Sequence, residues 1–376
     1  MGNPKKKENL LDGVFFPVLS DRYTRRGREK RIRHFLAGAG CAFALMAAAI
    51  VLLFMALQSR GRAQLAAHAD YHGMPDIAGL KTALADEYSE LSEGQLYYKG
   101  RVYEYNDGIL TFLVMGIDSR KDFGKPRVPG TAGQADMIVL AALDEKGKTL
   151  KLINISRDIM VPVETYDTSG LYAGTEELQL ALQFAYGDGL FDSLRLMEGA
   201  VSRLFYGIPI HGSAAMEMAG VEKLNDAVGG VTLRVIEDLT KGSKNLVKDK
   251  TLTLGGRDAL VYVRYRDTAI SESNSLRNAR QKQYLTAYYA LAKEKTKENL
   301  SFPLGVYNIV KDNVVTSVTA DQIAYLANAA FGCSLSEDDM MSVTGTIAAP
   351  GLYEEFRVDE EALLDMIMNV FYKTVD

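Results

Sequence analysis

The sequence predicts an α/β domain with a mixed central sheet flanked by helices on both faces, preceded by one transmembrane helix. Three observations predict this architecture. A charge-free apolar run lies near the N-terminus, short strand patterns and longer helical patterns are intermixed after residue 105, and 47% hydrophobic with 24% charged residues is a globular composition. Because strands and helices alternate along one chain, a sheet covered by helices is favoured over separate layers.

The apolar run covers residues 35–57 and contains no charged residue. At about 1.5 Å per residue it spans a hydrocarbon core of about 30 Å. The 34 residues before it form a longer leader than a signal peptide has, so we predict an uncleaved anchor. These residues are rich in Lys and Arg, and the positive-inside rule then places the N-terminal tail in the cytoplasm. We expect a single-pass protein of the cell membrane with an extracytoplasmic C-terminal domain.

Charge is divided unevenly between the tail and the rest of the chain. Residues 1–34 carry a formal charge of +6 and the whole chain −5, so residues 35–376 carry −11. An acidic body argues against nucleic acid as a partner, because a phosphate backbone requires a positive surface. The basic tail is explained by topology and by contact with lipid headgroups. Cys41 lies in the predicted anchor and Cys333 in the domain, which excludes a disulfide within one chain.

Residues 58–104 are predicted to form a helical stalk or linker, and residues 105–376 the extracytoplasmic domain. Ile77, Leu80 and Leu84 recur in the stalk at the spacing of one helix face. His68 and His72 are four residues apart, but the acid of the zinc-protease motif is missing, so we do not expect zinc there.

The domain begins with three predicted strands at residues 109–116, 136–143 and 149–155, and a turn at 144–148 predicts a hairpin between the second and third. Helices are predicted at 175–186, 192–206, 216–228, 257–265, 276–298, 320–330 and 360–372, and further strands at 231–236 and 343–347. Gly229 and Gly230 are expected to end the third of these helices.

Polar side chains follow the first three strands at their ends. Asp118 closes the first strand, Asp136 opens the second, and Arg157 and Asp158 close the third. If the second and third strands form a hairpin and the first runs parallel to the third, these side chains share one sheet edge. Ligand crevices of α/β sheets form at such strand ends.

Arginines downstream extend this set. Arg264 and Arg266 end one predicted helix, and Arg277, Arg280 and Gln281 stand at i, i+3 and i+4 of the next. Neighbouring aspartates suit a divalent cation, since Mg²⁺ takes one or two carboxylates together with phosphate oxygens. Arginine recognises phosphate with a planar, bidentate fork. Each residue alone is equally explained by a loop cap, an internal ion pair or a solvated helix end, but the set predicts a pyrophosphate-plus-metal site.

The motifs GIDSR, ADMIVL, ISRDIMV, LNDAVGGV, GGRDALVYVRYRD and RNARQ occur in this order. Their order and spacing, over residues 108–295, resemble the LytR-CpsA-Psr (LCP) family of cell-wall glycopolymer phosphotransferases. The resemblance implies an LCP-like α-β-α domain that transfers a phosphoglycan from a polyprenyl-pyrophosphate-linked donor to a sugar hydroxyl of peptidoglycan. It implies Mg²⁺ or Mn²⁺ as cofactor and the lipid-linked glycopolymer, peptidoglycan and the membrane as partners.

The resemblance also implies roles by position. Asp118 and Asp136 match the acids associated with the metal. The side chains assigned to pyrophosphate are Arg120, Arg157, Arg264, Arg266, Arg277, Arg280 and Gln281, and those assigned to catalysis are Arg157, Asp158, Arg266, Arg277 and Gln281. For Asp158 an orienting role towards Arg157 is preferred to a role as the base that assists the acceptor hydroxyl.

The sequence departs from the family pattern at Gln134, where the family often has an Arg, and at Gln179, where it usually has a Lys. The first change removes a positive charge from the predicted site and supports an alternative, a non-catalytic scaffold that binds lipid-linked polymer. A pyrophosphate hydrolase on the same fold is a second alternative. No G-x-S-x-G motif supports a serine hydrolase, and a 34-residue tail without a helix-turn-helix pattern does not support a transcription regulator.

A polyprenyl chain requires an apolar trough. Candidates for its lining are the apolar residues of the two predicted helices at 175–186 and 192–206, namely Leu178, Leu180, Leu182, Phe184, Leu194, Leu196 and Leu204. Ordinary core packing explains the same residues.

Overall fold

The computed structural model describes residues 60–68, 94–118, 123–265, 273–348 and 355–375. The predicted tail, the predicted anchor and most of the predicted stalk lie outside these residues. Within the described ranges, no helix has the length and apolar character needed to cross a membrane.

The strands are β1 Gln95–Tyr98, β2 Arg101–Tyr105, β3 Ile109–Ile117, β4 Ala135–Asp144, β5 Thr149–Ile155, β6 Met160–Tyr166, β7 Tyr172–Gln179, β8 Ser213–Glu217, β9 Thr232–Arg234, β10 Thr251–Thr253, β11 Val314–Thr316, β12 Met340–Ser342, β13 Gly345–Ala348, β14 Glu355–Val358 and β15 Tyr372–Thr374. The helices are α1 at 60–68, α2 Ala181–Ala185, α3 Phe191–Leu204, α4 Met218–Ala227, α5 Gly256–Arg264, α6 Ser273–Glu298, α7 Phe302–Val310, α8 Ala320–Phe331 and α9 Glu360–Phe371.

A six-stranded mixed sheet in the order β11-β8-β3-β4-β5-β12 forms the centre. β4 pairs antiparallel with both β3 and β5, so β3 and β5 point in the same direction. β3 with β8 and β5 with β12 are parallel pairs. The predicted hairpin of the second and third strands is therefore confirmed, and the condition that the first strand runs parallel to the third is met.

Helices cover both faces of this sheet because both faces of its central strands are apolar. On β3, Leu113 and Met115 point into a core built with α2, α3 and α9. The alternate residues Leu110 and Phe112 point into a second cluster with α1 and α8. A separate cluster joins β9 and β10 to α4, α5 and α6.

One predicted helix is wrong over most of its length. Residues 172–179 form β7, which pairs antiparallel with β6, and only Ala181–Ala185 are helical. The segment YAGTEELQ is rich in residues that favour helices and is mostly exposed, so it shows no strand alternation. Pairing with β6 decides its conformation, which is a tertiary effect that local propensity does not contain.

Smaller differences concern boundaries. The helix predicted at 216–228 begins at Met218, because the residues before it form β8 beside β3. It ends as predicted at Gly229 and Gly230, whose φ angles of 86° and 89° suit glycine. Of the strand predicted at 343–347, residues 345–347 belong to β13, and residues 343 and 344 lie between β12 and β13. The sequence did not predict α7 or β11.

The domain also begins earlier than predicted. β1 and β2 lie within the segment predicted as a helical stalk, and β2 pairs with the C-terminal strand β15. Further upstream, α1 packs against α8, since Leu65 is fully buried and Gly61 lies against the backbone of Asp321. Residues 95–104 and α1 therefore belong to the folded domain.

Candidate active site

The antiparallel pairing of β3, β4 and β5 brings the predicted strand-end residues together. Ile117 pairs with Ala135 next to a β-bulge, and the amide of Asp118 donates to the carbonyl of Gln134 at 3.1 Å. Ile138 of β4 pairs with Ile155 of β5, so the segment after β5 reaches the same edge. This edge is the strand-end site.

Arg157 occupies the centre of the strand-end site. Its guanidinium donates to a carboxylate oxygen of Asp136 and to the side-chain oxygen of Gln134. Its Nε lies 3.5 Å from the carboxylate of Asp158, which also accepts from the amide of Gln179 at 3.2 Å. Each of the three guanidinium nitrogens of Arg157 therefore faces an oxygen of a neighbouring side chain, which fits the orienting role preferred for Asp158.

α5 and α6 supply the remaining side chains. Arg264, the last residue of α5, donates to Asp118 at 2.9 Å, and both side chains are about half exposed. Gln281 of α6 donates its amide to the carbonyl of Val263 at 3.0 Å and so joins the two helices. Arg277 lies one turn earlier on α6 and lines the same cavity as Gln281.

Asp136 is under the influence of all these charges. Burial raises its pKa above the ordinary value and the negative charge of Asp118 raises it further, whereas Arg157, Arg264 and Arg277 oppose the rise. Two carboxylates and three guanidinium groups thus interact across one sheet edge.

A cavity of about 210 Å³ opens beside this cluster. Asp136, Arg157, Asp158, Arg277 and Gln281 line its polar side. Its apolar side is formed by Ile347 and Phe356 of the C-terminal hairpin β13–β14, which is attached through a hydrogen bond of 2.9 Å from the amide of Phe356 to the carbonyl of Asp158. The sequence analysis missed this hairpin, because no local signal links residues about 200 positions apart.

Two further cavities follow α6 away from the site. A small one of about 30 Å³ shares Asn278 and Gln281 with the first cavity and is lined by apolar residues such as Leu285. The next, of about 230 Å³, lies between α6, α7 and α8 and is mostly apolar, with Tyr288 and Phe302 in its wall.

The residues predicted to line an apolar trough belong largely to the core. Leu180, Phe184 and Leu194 are buried in the cluster beneath the sheet, as ordinary core packing predicts. Leu196 is also buried, but it lines a cavity of about 400 Å³ between the loop at 126–129, the β6–β7 turn and α3.

Arg280 does not belong to the strand-end site. Its side chain is 1% exposed, its guanidinium donates to the carbonyls of Tyr262 and Tyr265, and its Nε lies 3.0 Å from the carboxylate of Glu237. It also lies over the ring of Tyr262. The predicted contact with pyrophosphate does not fit this burial, because on the helix Arg280 stands about 100° away from Gln281 and is turned towards α5. Arg120 and Arg266 lie outside the described residues.

The strand-end site fits a divalent cation through its donor chemistry. Asp118 and Asp136 are two incompletely buried carboxylates close enough for one to raise the pKa of the other. Mg²⁺ commonly uses one or two carboxylates and completes its shell with phosphate and water oxygens. A larger all-protein cage is not present in the described ranges, where no three or more His, Cys, Asp or Glu residues are grouped for a metal.

The chain is similar in sequence to known transferases. The polyisoprenyl-teichoic acid–peptidoglycan teichoic acid transferase TagV of Bacillus subtilis is 26% identical over 271 residues, which are 70% of this chain and 64% of TagV. The chain thus spans less than two thirds of that relative's length. The transferase TagU of Bacillus cereus is 28% identical over 261 residues, which are 68% of this chain and 76% of TagU.

The crystal structure of B. subtilis TagV has the same fold, with a TM-score of 0.53 and 22% identity over 70% of this chain and 97% of that one. The model of the LytR_cpsA_psr family matches residues 78–367, which is most of the chain and includes all of the strand-end site. The chain belongs to the LytR_cpsA_psr family.

Proposed function

We propose that this chain transfers a phosphoglycan from a polyprenyl-pyrophosphate-linked donor to a sugar hydroxyl of peptidoglycan. The observation that carries the proposal is the strand-end site, where Arg157, Arg264 and Arg277 surround two carboxylates beside a cavity. The names of TagV and TagU describe transfer between a polyisoprenyl-linked polymer and peptidoglycan, which supports the same reaction here.

The reaction is a phosphoryl transfer with a simple balance. The hydroxyl oxygen of the acceptor forms a bond to the phosphorus that carries the glycan, while the bridging bond from that phosphorus to the lipid phosphate breaks. The bridging oxygen keeps the electron pair and leaves as polyprenyl phosphate, and the hydroxyl proton is released to water. Catalysis of such a step depends mainly on positioning and on neutralising charge on oxygen.

The two ion pairs of the site suggest how the donor is received. Arg157 and Arg264 are held by Asp136 and Asp118 before any substrate arrives, so little side-chain ordering remains to be done. A pyrophosphate in the cavity offers these arginines new anionic partners. Asp118 and Asp136, relieved of these ion pairs, would be available to hold a cation.

We propose that Asp118 and Asp136 hold Mg²⁺ or Mn²⁺. When bound, such a cation supplies positive charge to the phosphate oxygens. The arginines also carry positive charge for the phosphate oxygens. The hydrogen bond from Gln281 to the carbonyl of Val263 ties α6, which carries Arg277, to α5, which carries Arg264.

Localisation follows from the same reaction. A lipid-linked donor and a peptidoglycan acceptor meet at the outer face of the cell membrane. We therefore propose that the chain is anchored by residues 35–57 with its domain extracytoplasmic, since a tether raises the concentration of enzyme near its donor.

The departure at Gln134 is the best support for a non-catalytic scaffold, but its side chain still accepts from Arg157 and so keeps a place in the site. The ion pairs of Arg157 with Asp136 and of Arg264 with Asp118 favour an enzyme over a scaffold. The proposal is tested with the purified full chain in detergent, a short-chain polyprenyl-pyrophosphoryl glycan, a peptidoglycan fragment and either Mg²⁺, Mn²⁺ or a chelator. Mass spectrometry follows the phosphodiester adduct and polyprenyl phosphate together.

We expect an adduct with metal that Arg157→Ala and Asp136→Ala reduce by about a hundredfold or more. Arg203→Ala is the matched control, since Arg203 pairs with Glu164 at 3.2 Å outside the site. Release of polyprenyl phosphate without adduct would replace the transferase with a hydrolase. Tight donor binding without turnover in either metal would establish the scaffold instead.

A further inference from the structure

The cavity of the strand-end site contains polar groups that the chemistry above does not use. Besides its charged residues, the cavity is lined by the neutral side chains of Asn154, Asn278 and Ser342. Within the parts of the chain that the structure describes, no hydrogen bond joins any of these three side chains to another residue. Their hydrogen-bonding groups are therefore available to a ligand in the cavity.

The sheet and α6 place these three side chains around one end of the cavity. Ser342 of β12 pairs with Asn154 of β5 in a parallel ladder, so their side chains lie on the same face of the sheet. Asn278 follows Arg277 on α6, and both line the cavity. A ligand that reaches Arg277 therefore meets neutral hydrogen-bonding groups as well as charge.

The hairpin β13–β14 supplies an apolar wall to the same cavity. Ile347 pairs with Phe356 across the hairpin, so both side chains lie on one face of it, and both line the cavity. Ile347 is 59% exposed, and burial in a core does not account for it. The wall is attached close to the reacting groups, because the amide of Phe356 donates to the carbonyl of Asp158, the residue after Arg157.

The neutral groups and the apolar wall together match a sugar ring better than the other parts of a lipid-linked donor. A sugar presents hydroxyl and amide groups at its edge, which suit the side chains of Asn154, Asn278 and Ser342, and a C–H face, which suits Ile347 and Phe356. A hydrocarbon chain in this place would cover three polar side chains without offering them a partner, which is unfavourable. A phosphate would gain nothing from the apolar wall.

The size of the cavity limits how much of a polymer it receives. Its volume of about 210 Å³ is below the roughly 300–1,000 Å³ of pockets that hold drug-sized ligands. A single sugar ring beside the phosphate is therefore a better match than a longer stretch of glycan.

We propose that this cavity binds one sugar ring, held between the neutral side chains and the hairpin wall, next to the phosphate that Arg157 receives. The inference rests on the proposed function and adds the residues that select its substrate, chiefly Asn278 and Ile347. The ring has two possible sources, the first sugar of the donor glycan and the acceptor sugar, since both adjoin the reacting phosphorus.

The test measures binding by calorimetry with the full chain in detergent and Mg²⁺. Three probes are titrated: inorganic phosphate alone, N-acetylglucosamine 1-phosphate, and a peptidoglycan disaccharide in the presence of phosphate. We expect Asn278→Ala and Ile347→Ser each to weaken the binding of a sugar probe by about tenfold and to leave phosphate binding unchanged. A loss on the sugar phosphate assigns the ring to the donor, and a loss on the disaccharide assigns it to the acceptor.

Ile309→Ser is the matched control, because Ile309 is an isoleucine of α7 that is 49% exposed and lies outside this cavity. It should change none of the three affinities. Because no transfer takes place in these titrations, the inference and the proposed reaction fail separately. Sugar binding that ignores both substitutions would overturn the inference, as would a wild type whose binding gains nothing from either sugar. A tenfold loss on geranyl phosphate, with both sugar probes unaffected, would assign the hairpin wall to the lipid instead.

Discussion

The negative charge of Asp136 is unfavourable in the folded protein, although Asp136 is a residue of the strand-end site. Burial and the charge of Asp118 raise its pKa although three arginines act against the rise. A carboxyl whose pKa is higher in the folded protein than in the unfolded chain holds its proton more tightly when folded. Stability therefore falls as pH rises through the folded pKa, and the ionised form is held at a cost to the fold. A bound cation would relieve this cost, as is common where function is built on like charges.

Replacement of Asp136 by Asn should therefore stabilise the protein while it abolishes activity. The amide keeps an oxygen that accepts from Arg157 but carries no charge to be buried. We expect the melting temperature of Asp136→Asn to exceed that of the wild type at neutral pH and the two to converge in acid, below the ordinary pKa of Asp. Thermal denaturation between pH 3 and 7 measures this. A variant that is less stable at pH 7 would mean that the charge of Asp136 supports the fold through Arg157.

Two arginines of helix α6 that are only three residues apart have different surroundings. Arg277 lines the strand-end cavity, whereas Arg280 is buried and binds the carbonyls at the end of α5. The sequence identified the helix and its arginines correctly. The sequence did not show which arginine faces α5. Positions i, i+3 and i+4 lie within about 100° of one another around the helix axis, and tertiary packing decides which of them contacts α5.

Arg277→Met and Arg280→Met should therefore affect different properties of the protein, donor binding in the first case and stability in the second. Arg280→Met leaves Glu237 and two carbonyls without their partner and should lower the free energy of unfolding by about 3 kcal/mol. Arg277→Met should leave stability within about 0.5 kcal/mol but weaken donor binding. Urea denaturation and the donor KM of both variants decide the matter. Equal losses of stability would show that Arg277 is also structural.

Helix α1 is attached to the domain by a titratable contact. His68 Nε2 lies 3.1 Å from a carboxylate oxygen of Glu198, a buried residue of α3 that also accepts from the hydroxyl of Ser317 at 3.2 Å. The hydrogen bond to Glu198 is the main reason why the pKa of His68 is raised. A raised histidine pKa contributes stability that is full below the unfolded value of about 6.5 and is lost as pH rises through the folded pKa.

We expect α1 to be held more tightly at pH 5.5 than at pH 8. Hydrogen exchange of residues 60–68 should show greater protection at the lower pH once intrinsic rates are corrected. His68→Gln provides the control, since an amide donates to Glu198 at either pH and should remove the difference. Protection that is independent of pH in the wild type would assign the attachment of α1 to Leu65 and its apolar neighbours alone.

Central strands and exposed strands differ in how well their sequences indicate them. The strands β3, β4 and β5 were predicted to within about one residue, because they are long, apolar and central, and the site residues at their ends were correctly grouped. β7 was missed because it is exposed and rich in helix formers. The cavity of about 400 Å³ between the loop at 126–129, the β6–β7 turn and the start of α3 was not predicted, since these segments meet only in the folded chain.

At the scale of the whole molecule, the chain joins an acidic body to a basic tail. The −11 charge of residues 35–376 would repel the proposed donor if its polymer is anionic, while the arginines of the strand-end site would attract it locally. With this charge distribution we expect proximity supplied by the proposed anchor to matter more than long-range attraction.

The proposed anchor at residues 35–57 should therefore be needed for donors in a bilayer and dispensable for soluble ones. A chain that starts at residue 58 retains α1 and its buried Leu65, so the domain stays complete. We expect it to match the full chain on a short-chain, water-soluble donor. On a long-chain donor in vesicles that also hold the full chain, the truncated chain should be slower by about a hundredfold, because the tether turns a bimolecular encounter into a local one. Rates with both donors are measured by release of polyprenyl phosphate. Equal rates on vesicles would mean that the domain reaches the bilayer without residues 1–57, whereas a loss on the soluble donor would mean that these residues support the site itself.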